Sequence, residues 1–132
     1  IMYRIMLADD EGIVIDSLKF IIEKEFGDLC EIQYAKNGRS VIEMAESFRP
    51  DIAVMDIQMP VLDGYQAADK IRTLERKDAA EIPIIAMTAN AFIEDVKKSK
   101  EHGMNGHVSK PLDIPALSAE LCRWLPQKNK QD

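Results

Sequence analysis

Residues 51–64 read DIAVMDIQMPVLDG: four apolar side chains in a row, Ile52 to Met55, then an acid, Asp56, then a loop punctuated by Pro60 and Gly64. An unbroken apolar run this short, stopped by turn residues, predicts a strand covered on both faces. Two further runs share the pattern, YRIMLA (3–8) and IPIIAMT (82–88), and two more polar ones, EIQYA (31–35) and GHVS (106–109), complete a set of five.

Between the strands the apolar period becomes helical. In GIVIDSLKFIIEKEF (12–26), Val14, Leu18, Ile21 and Ile22 fall on one side; in DGYQAADKIRTLERK (63–77), Ala67, Ala68, Ile71 and Leu74 do the same. The last helix opens with DIPALSAEL, where Asp113 is the expected cap and Pro115 suits the first turn. Gly27 and Gly103 follow helices, and Pro50 precedes the third strand. Five βα units in succession predict an α/β domain, a parallel sheet between two layers of helices. The single domain is expected over residues 1–127, with 128–132 as a polar tail or the start of a linker. The first residue, Ile1, and the polar ending PQKNKQD are read as the limits of a segment excised from a longer polypeptide.

Composition narrows the function. The chain has 132 residues, 46% hydrophobic and 30% charged, so it can bury a real core. A net charge of −6 argues against a nucleic-acid surface, which needs a basic stripe. No apolar run approaches the ~20 residues of a membrane span. Cys30 and Cys122 are far apart and no secretory leader precedes them, which predicts reduced thiols and a cytoplasmic protein. His102 and His107 have no CxxC partner for a zinc site.

In an open parallel sheet, ligands bind beyond the carboxyl ends of the strands. Asp9 and Asp10 follow the first strand, Asp56 ends the third, Thr88 ends the fourth, and Lys110 follows the fifth. Taken singly, each has an ordinary explanation as a cap, a turn residue or a solvated lysine. Taken together, they put three carboxylates, a hydroxyl and an ammonium on one edge.

The segments LADDE, DIAVMDIQMPVLDG, IIAMTAN and GMNGHVSKP, in that order, resemble the receiver domains of two-component response regulators, and the likeness runs from Tyr3 to Leu125. The resemblance implies a flavodoxin-like doubly wound five-stranded parallel sheet in the order 2-1-3-4-5, with five helices. It implies a Mg²⁺ ion bound directly by Asp10, Asp56 and the backbone carbonyl of Gln58, with Asp9 acting partly through water. Hard oxygen ligands suit that ion. Asp56 would accept a phosphoryl group from a histidine kinase or a histidine phosphotransfer domain, and Lys110 and Thr88 would each hold a phosphoryl oxygen. The family pattern also implies a cis peptide bond before Pro111, a small residue, Ala89, that leaves room for the phosphoryl group, and lifetime tuning by Gln58 and Asn90.

Most receivers carry Tyr or Phe where this chain has His107, the expected switch residue, whose imidazole can change charge near neutral pH. The responding surface would comprise the fourth helix, with Ala91, Phe92 and Ile93 at its start, the fifth strand and the fifth helix. It would face an output domain or downstream protein, or a second copy in a phosphorylation-dependent dimer. A bacterial source is expected. Through Gly64 the chain resembles receivers attached to DNA-binding outputs, and after it receivers fused to hybrid sensor kinases; both parents stay open. A Mg²⁺-dependent hydrolase with an aspartyl nucleophile is a competing reading, but such enzymes place a second acid two residues on, where Gln58 stands, and use a cap domain. A module that keeps the fold without phosphorylation would be marked by a lost acid, Thr or Lys, and none is lost. A nucleotide-binding reading lacks a glycine-rich phosphate loop.

Overall fold

Each unbroken apolar strand divides its side chains between two faces, because successive residues of a strand point in opposite directions. In the computed structural model, which describes residues 2–75, 77–89 and 93–125, the strands are β1 (Tyr3–Ala8), β2 (Cys30–Ala35), β3 (Ile52–Asp56), β4 (Ile84–Thr88) and β5 (Gly106–Ser109). All pairings are parallel and the order is β2-β1-β3-β4-β5, a doubly wound flavodoxin-like sheet as expected.

The helices are α1 (Gly12–Phe26), α2 (Gly38–Phe48), α3 (Gly64–Arg72), α4 (Lys77–Glu81), α5 (Ile93–Glu101) and α6 (Ile114–Trp124). Ile5, Leu7, Ile52, Val54, Ile85 and Met87 meet Ile15, Leu18 and Ile22 of α1 and Leu117 and Leu121 of α6. On the other face, Met6, Ala8, Ala53, Met55, Ile84 and Ala86 meet Val41, Ala45 and Phe48 of α2 and Ala67, Ala68 and Ile71 of α3. Among the described residues no helix is long and apolar enough to cross a membrane.

Three local expectations change. Five helices were expected and six form among the described residues, because the run 63–77 breaks: α3 stops at Arg72 and the short α4 follows. The break has a long-range cause. Arg72 turns inward, and its guanidinium donates to the Gly103 carbonyl at 2.6 and 3.1 Å, the Ala79 carbonyl at 3.1 Å and Asn105 Oδ1 at 2.9 Å. One side chain thereby ties α3, α4 and the approach to β5. On α1 the expected Leu18, Ile21 and Ile22 are buried, but Ile15 joins them while Val14 is only half-buried and Ile13 is 75% exposed. At α6, Asp113 holds the cap position but its side chain makes no capping bond. Pro115 in that first turn has no N–H to offer it. Asn90, Ala91, Phe92 and the tail 128–132 lie outside the described residues, as does the side chain of Ile93.

Arg72→Ala would take a charged donor from two carbonyls and from Asn105 Oδ1, which would keep only the Ile84 N–H. We expect a loss of about 2–3 kcal/mol in urea unfolding at an unchanged m-value. Arg72→Lys should recover only part, since an ammonium cannot span the three acceptors.

Candidate functional site

The edge formed by the carboxyl ends of the strands gathers the predicted residues. Asp9 leaves β1 fully buried; its N–H donates to the Ala35 carbonyl at 3.1 Å, and its Oδ1 accepts the Glu11 N–H at 2.9 Å. That leaves Oδ2 for Lys110, whose Nζ lies 2.7 Å away. Asp56, the last residue of β3, is nearly as buried, accepts the Gln58 N–H at Oδ1 over 3.4 Å, and points Oδ2 at the same Nζ over 3.3 Å. Lys110 is anchored by its own N–H, which donates to the Thr88 carbonyl at 2.8 Å, and it precedes a cis bond to Pro111, as the resemblance implies. One ammonium is shared between two buried carboxylates on different strands.

The cleft above this triad has a volume of about 460 Å³, and Asp10, Gln58, Thr88 and Ala89 line it with Asp56 and Lys110. His107 is not among the lining residues; it sits half-buried on β5, opposite Ala86 of β4. Asp9, Asp10 and Glu11 each offer an oxygen within 4.8 Å of the other two. Glu11 was not a predicted ligand, and Asp56, whose Oδ2 lies 3.3 Å from Lys110, is not in that trio.

Electrostatics follow from burial and charge. Burial pushes the Asp56 carboxyl above the usual carboxylate range and the Asp9 charge pushes it the same way, against the charge and hydrogen bond of Lys110. For Lys110, burial works against the ammonium, but its bond to Asp9 and the charges of Asp56 and Asp9 prevail, so it stays protonated above its ordinary range. The cleft is therefore short of positive charge. A hard divalent cation fits this donor set of closely spaced carboxylate oxygens.

Two glycines fix the loop that follows Asp56. A Cβ on Gly64 would lie 2.5 Å from the Asp56 carbonyl oxygen, and the Gly64 N–H donates to the Ile57 carbonyl at 2.7 Å. A Cβ on Gly38 would lie 2.1 Å from the Leu62 carbonyl oxygen. The sequence read Gly64 as a turn residue and passed over Gly38; both are sites of backbone contact between distant segments. Within the loop, Val61 takes φ +70, a left-handed conformation that is strained for a β-branched residue. The loop is closed by a capping box in which Asp63 Oδ1 accepts the Gln66 N–H at 2.8 Å and Gln66 Oε1 accepts the Asp63 N–H at 3.0 Å.

A family model described as the response regulator receiver domain matches residues 5–122. Transcription factor SKN7 of Saccharomyces cerevisiae is 33% identical over 126 residues, which are 96% of this chain and 19% of that protein. The receiver domain of the sensor histidine kinase PA1611 from Pseudomonas aeruginosa PAO1, solved with a magnesium ion coordinated in its active-site cleft, superposes with TM-score 0.81 at 31% identity, covering 94% of this chain and 98% of that one. A chain of the co-crystal structure of the Saccharomyces cerevisiae histidine phosphotransfer protein Ypd1 and the receiver domain of its downstream response regulator Ssk1 gives TM-score 0.84 at 27% identity, covering 93% and 88%. Relatives in yeast leave the expected bacterial source unsupported.

The raised Asp56 carboxyl means that the folded chain holds this proton more tightly than the unfolded one. In metal-free buffer the site therefore destabilises the fold at neutral pH, and relief comes as the pH falls through the folded value. Asp56→Asn should raise the melting temperature by a few degrees at neutral pH. Mg²⁺ at ten times its dissociation constant should add about 1.4 kcal/mol to the unmutated chain, and less at the same concentration to the variant. Circular dichroism melts with and without the ion check both.

Proposed function

This chain belongs to the response regulator receiver family, and on that footing we propose that it is a phospho-acceptor switch in which Asp56 takes a phosphoryl group from a phosphohistidine. The donor would be a histidine kinase or a histidine phosphotransfer domain. A carboxylate oxygen of Asp56 attacks phosphorus, the bond from phosphorus to the imidazole nitrogen breaks, and its electron pair leaves with the donor ring. The observation that carries this reading is the ammonium of Lys110 between Asp9 at 2.7 Å and Asp56 at 3.3 Å, at the mouth of a cleft lined by Thr88.

Charge spreads over the equatorial oxygens during transfer, so positioning and neutralisation do most of the work. Lys110 is held on one side by Asp9 and offers its point charge to one oxygen. Thr88 would donate its hydroxyl to a second, and the exposed Ala89 leaves the approach open. Bound Mg²⁺, held by Asp10, Asp56 and the Gln58 carbonyl with Asp9 partly through water, would neutralise the remaining charge. Gln58 and Asn90 would set how fast water reaches the aspartyl phosphate.

The modification adds about −1.5 to −2 charges at this edge. As Thr88 moves toward the new group, His107 on the neighbouring strand would follow it inward and alter the face made of α5, β5 and α6. That face would engage an output domain, a downstream protein or a second copy. A tenfold shift between states requires only about 1.4 kcal/mol of differential interaction. The chain would work in the cytoplasm as a switch, without turnover of small substrates.

Acetyl phosphate with Mg²⁺ should add one phosphoryl mass to the intact chain, and Asp56→Asn should abolish the gain. Lys110→Ala should slow uptake on the order of a hundredfold. Intact-mass spectrometry reads all three, and a mass gain that survives Asp56→Asn overturns the assignment of the acceptor.

A further inference from the structure

The cleft holds a second cation that the mechanism above does not use. Lys98 and Asp95, both on α5, line it beside Asp56 and Thr88. Among the described residues that line it, the acids Asp10, Glu11, Asp56 and Asp95 share the cleft with two cations, Lys98 and Lys110. Lys110 is committed to Asp9 and Asp56. Among the described residues Lys98 makes no ion pair; its Nζ sits 4.7 Å from the centre of the Tyr65 ring. Tyr65, in the first turn of α3, stacks its other neighbour, His102, at 4.9 Å with the planes tilted by 33°. His102 Nδ1 in turn lies 2.9 Å from Asp69 of α3.

We propose that Lys98 is a second phosphoryl-binding cation: its ammonium rests on Tyr65 while Asp56 is a free carboxylate and moves to a phosphoryl oxygen once Asp56 is modified. This rests on the reading of Asp56 as the acceptor. An ammonium over a tyrosine ring at an exposed site is weakly held, whereas a charge-assisted bond to a doubly charged phosphoryl group is among the stronger polar contacts. The flexible four-carbon stem and three rotatable donors of lysine allow the exchange without moving the backbone. The move takes the ammonium off the Tyr65 ring and ties α5 to the phosphoryl group directly. It would give that helix its own report of modification, separate from the path through Thr88 and His107.

The test uses the full chain with Mg²⁺ and beryllium fluoride, a stable phosphoryl mimic, titrated by calorimetry. Lys98→Ala should weaken beryllofluoride binding about three- to tenfold at low salt, with the difference shrinking as salt rises. Lys98→Arg should stay within about twofold of the unmutated chain, because the cation is kept. Mg²⁺ affinity measured without fluoride should not fall in Lys98→Ala. The Tyr65 ring protons should shift on beryllofluoride binding in the unmutated chain, and shift less in Lys98→Ala. Equal beryllofluoride affinity in the unmutated chain and Lys98→Ala overturns the role of Lys98 and leaves Asp56 as acceptor. A parallel loss of Mg²⁺ affinity marks general damage to the cleft and also overturns it. Failure of the unmutated chain to bind beryllofluoride overturns both readings together.

Discussion

Two carboxylates drawn out of water at the end of a parallel sheet repel each other, and here a single ammonium holds them. Asp9 is fully buried and Asp56 nearly so, and Lys110 reaches both. Removing the ammonium would leave two uncompensated buried carboxylates, which is why Lys110 holds the other two positions together. The residual excess of negative charge is what invites a divalent cation. On the proposed reading, it would also make the arrival of a phosphoryl group a large local event rather than a small one.

That arrangement depends on strand order. With β3 in the middle and β1 beside it, Asp9 and Asp56 come from adjacent strands, and β5 brings Lys110 from the far edge across the end of β4. The two cores lock the strands from both sides, so the carboxyl edge inherits its geometry from more than thirty buried apolar side chains rather than from the loops that carry the acids. Loop residues are then free to serve chemistry.

Much of this was readable in the chain. β1, β3 and β4 are covered on both faces, and apolar runs without alternation say so directly. The five polar strand-end residues were legible because a parallel sheet sends every such residue to the same edge. Features set by distant contacts were not legible. The helix break at Arg72 is caused by Gly103, Ala79 and Asn105, of which two lie some thirty residues away. That Ile15 rather than Val14 completes the buried face of α1 depends on the sheet it packs against, since the apolar run at 13, 14 and 15 allows either. Gly38 and Gly64 carry no side chain whose character could announce a close approach. Lys98 reads as a solvated helix lysine until α3 places Tyr65 beneath it.

The contrast between the loop after Asp56 and the glycines that hold it has an evolutionary consequence. Positions 38 and 64 are closed to every side chain by neighbouring backbone, while Gln58 and Val61 project into solvent. Inherited variation in this segment is channelled outward, onto the rim that visitors to the cleft encounter, and away from the backbone that aims the carboxylate. Descendants of this chain can therefore diversify whom they meet, and for how long, while the aim of Asp56 stays fixed.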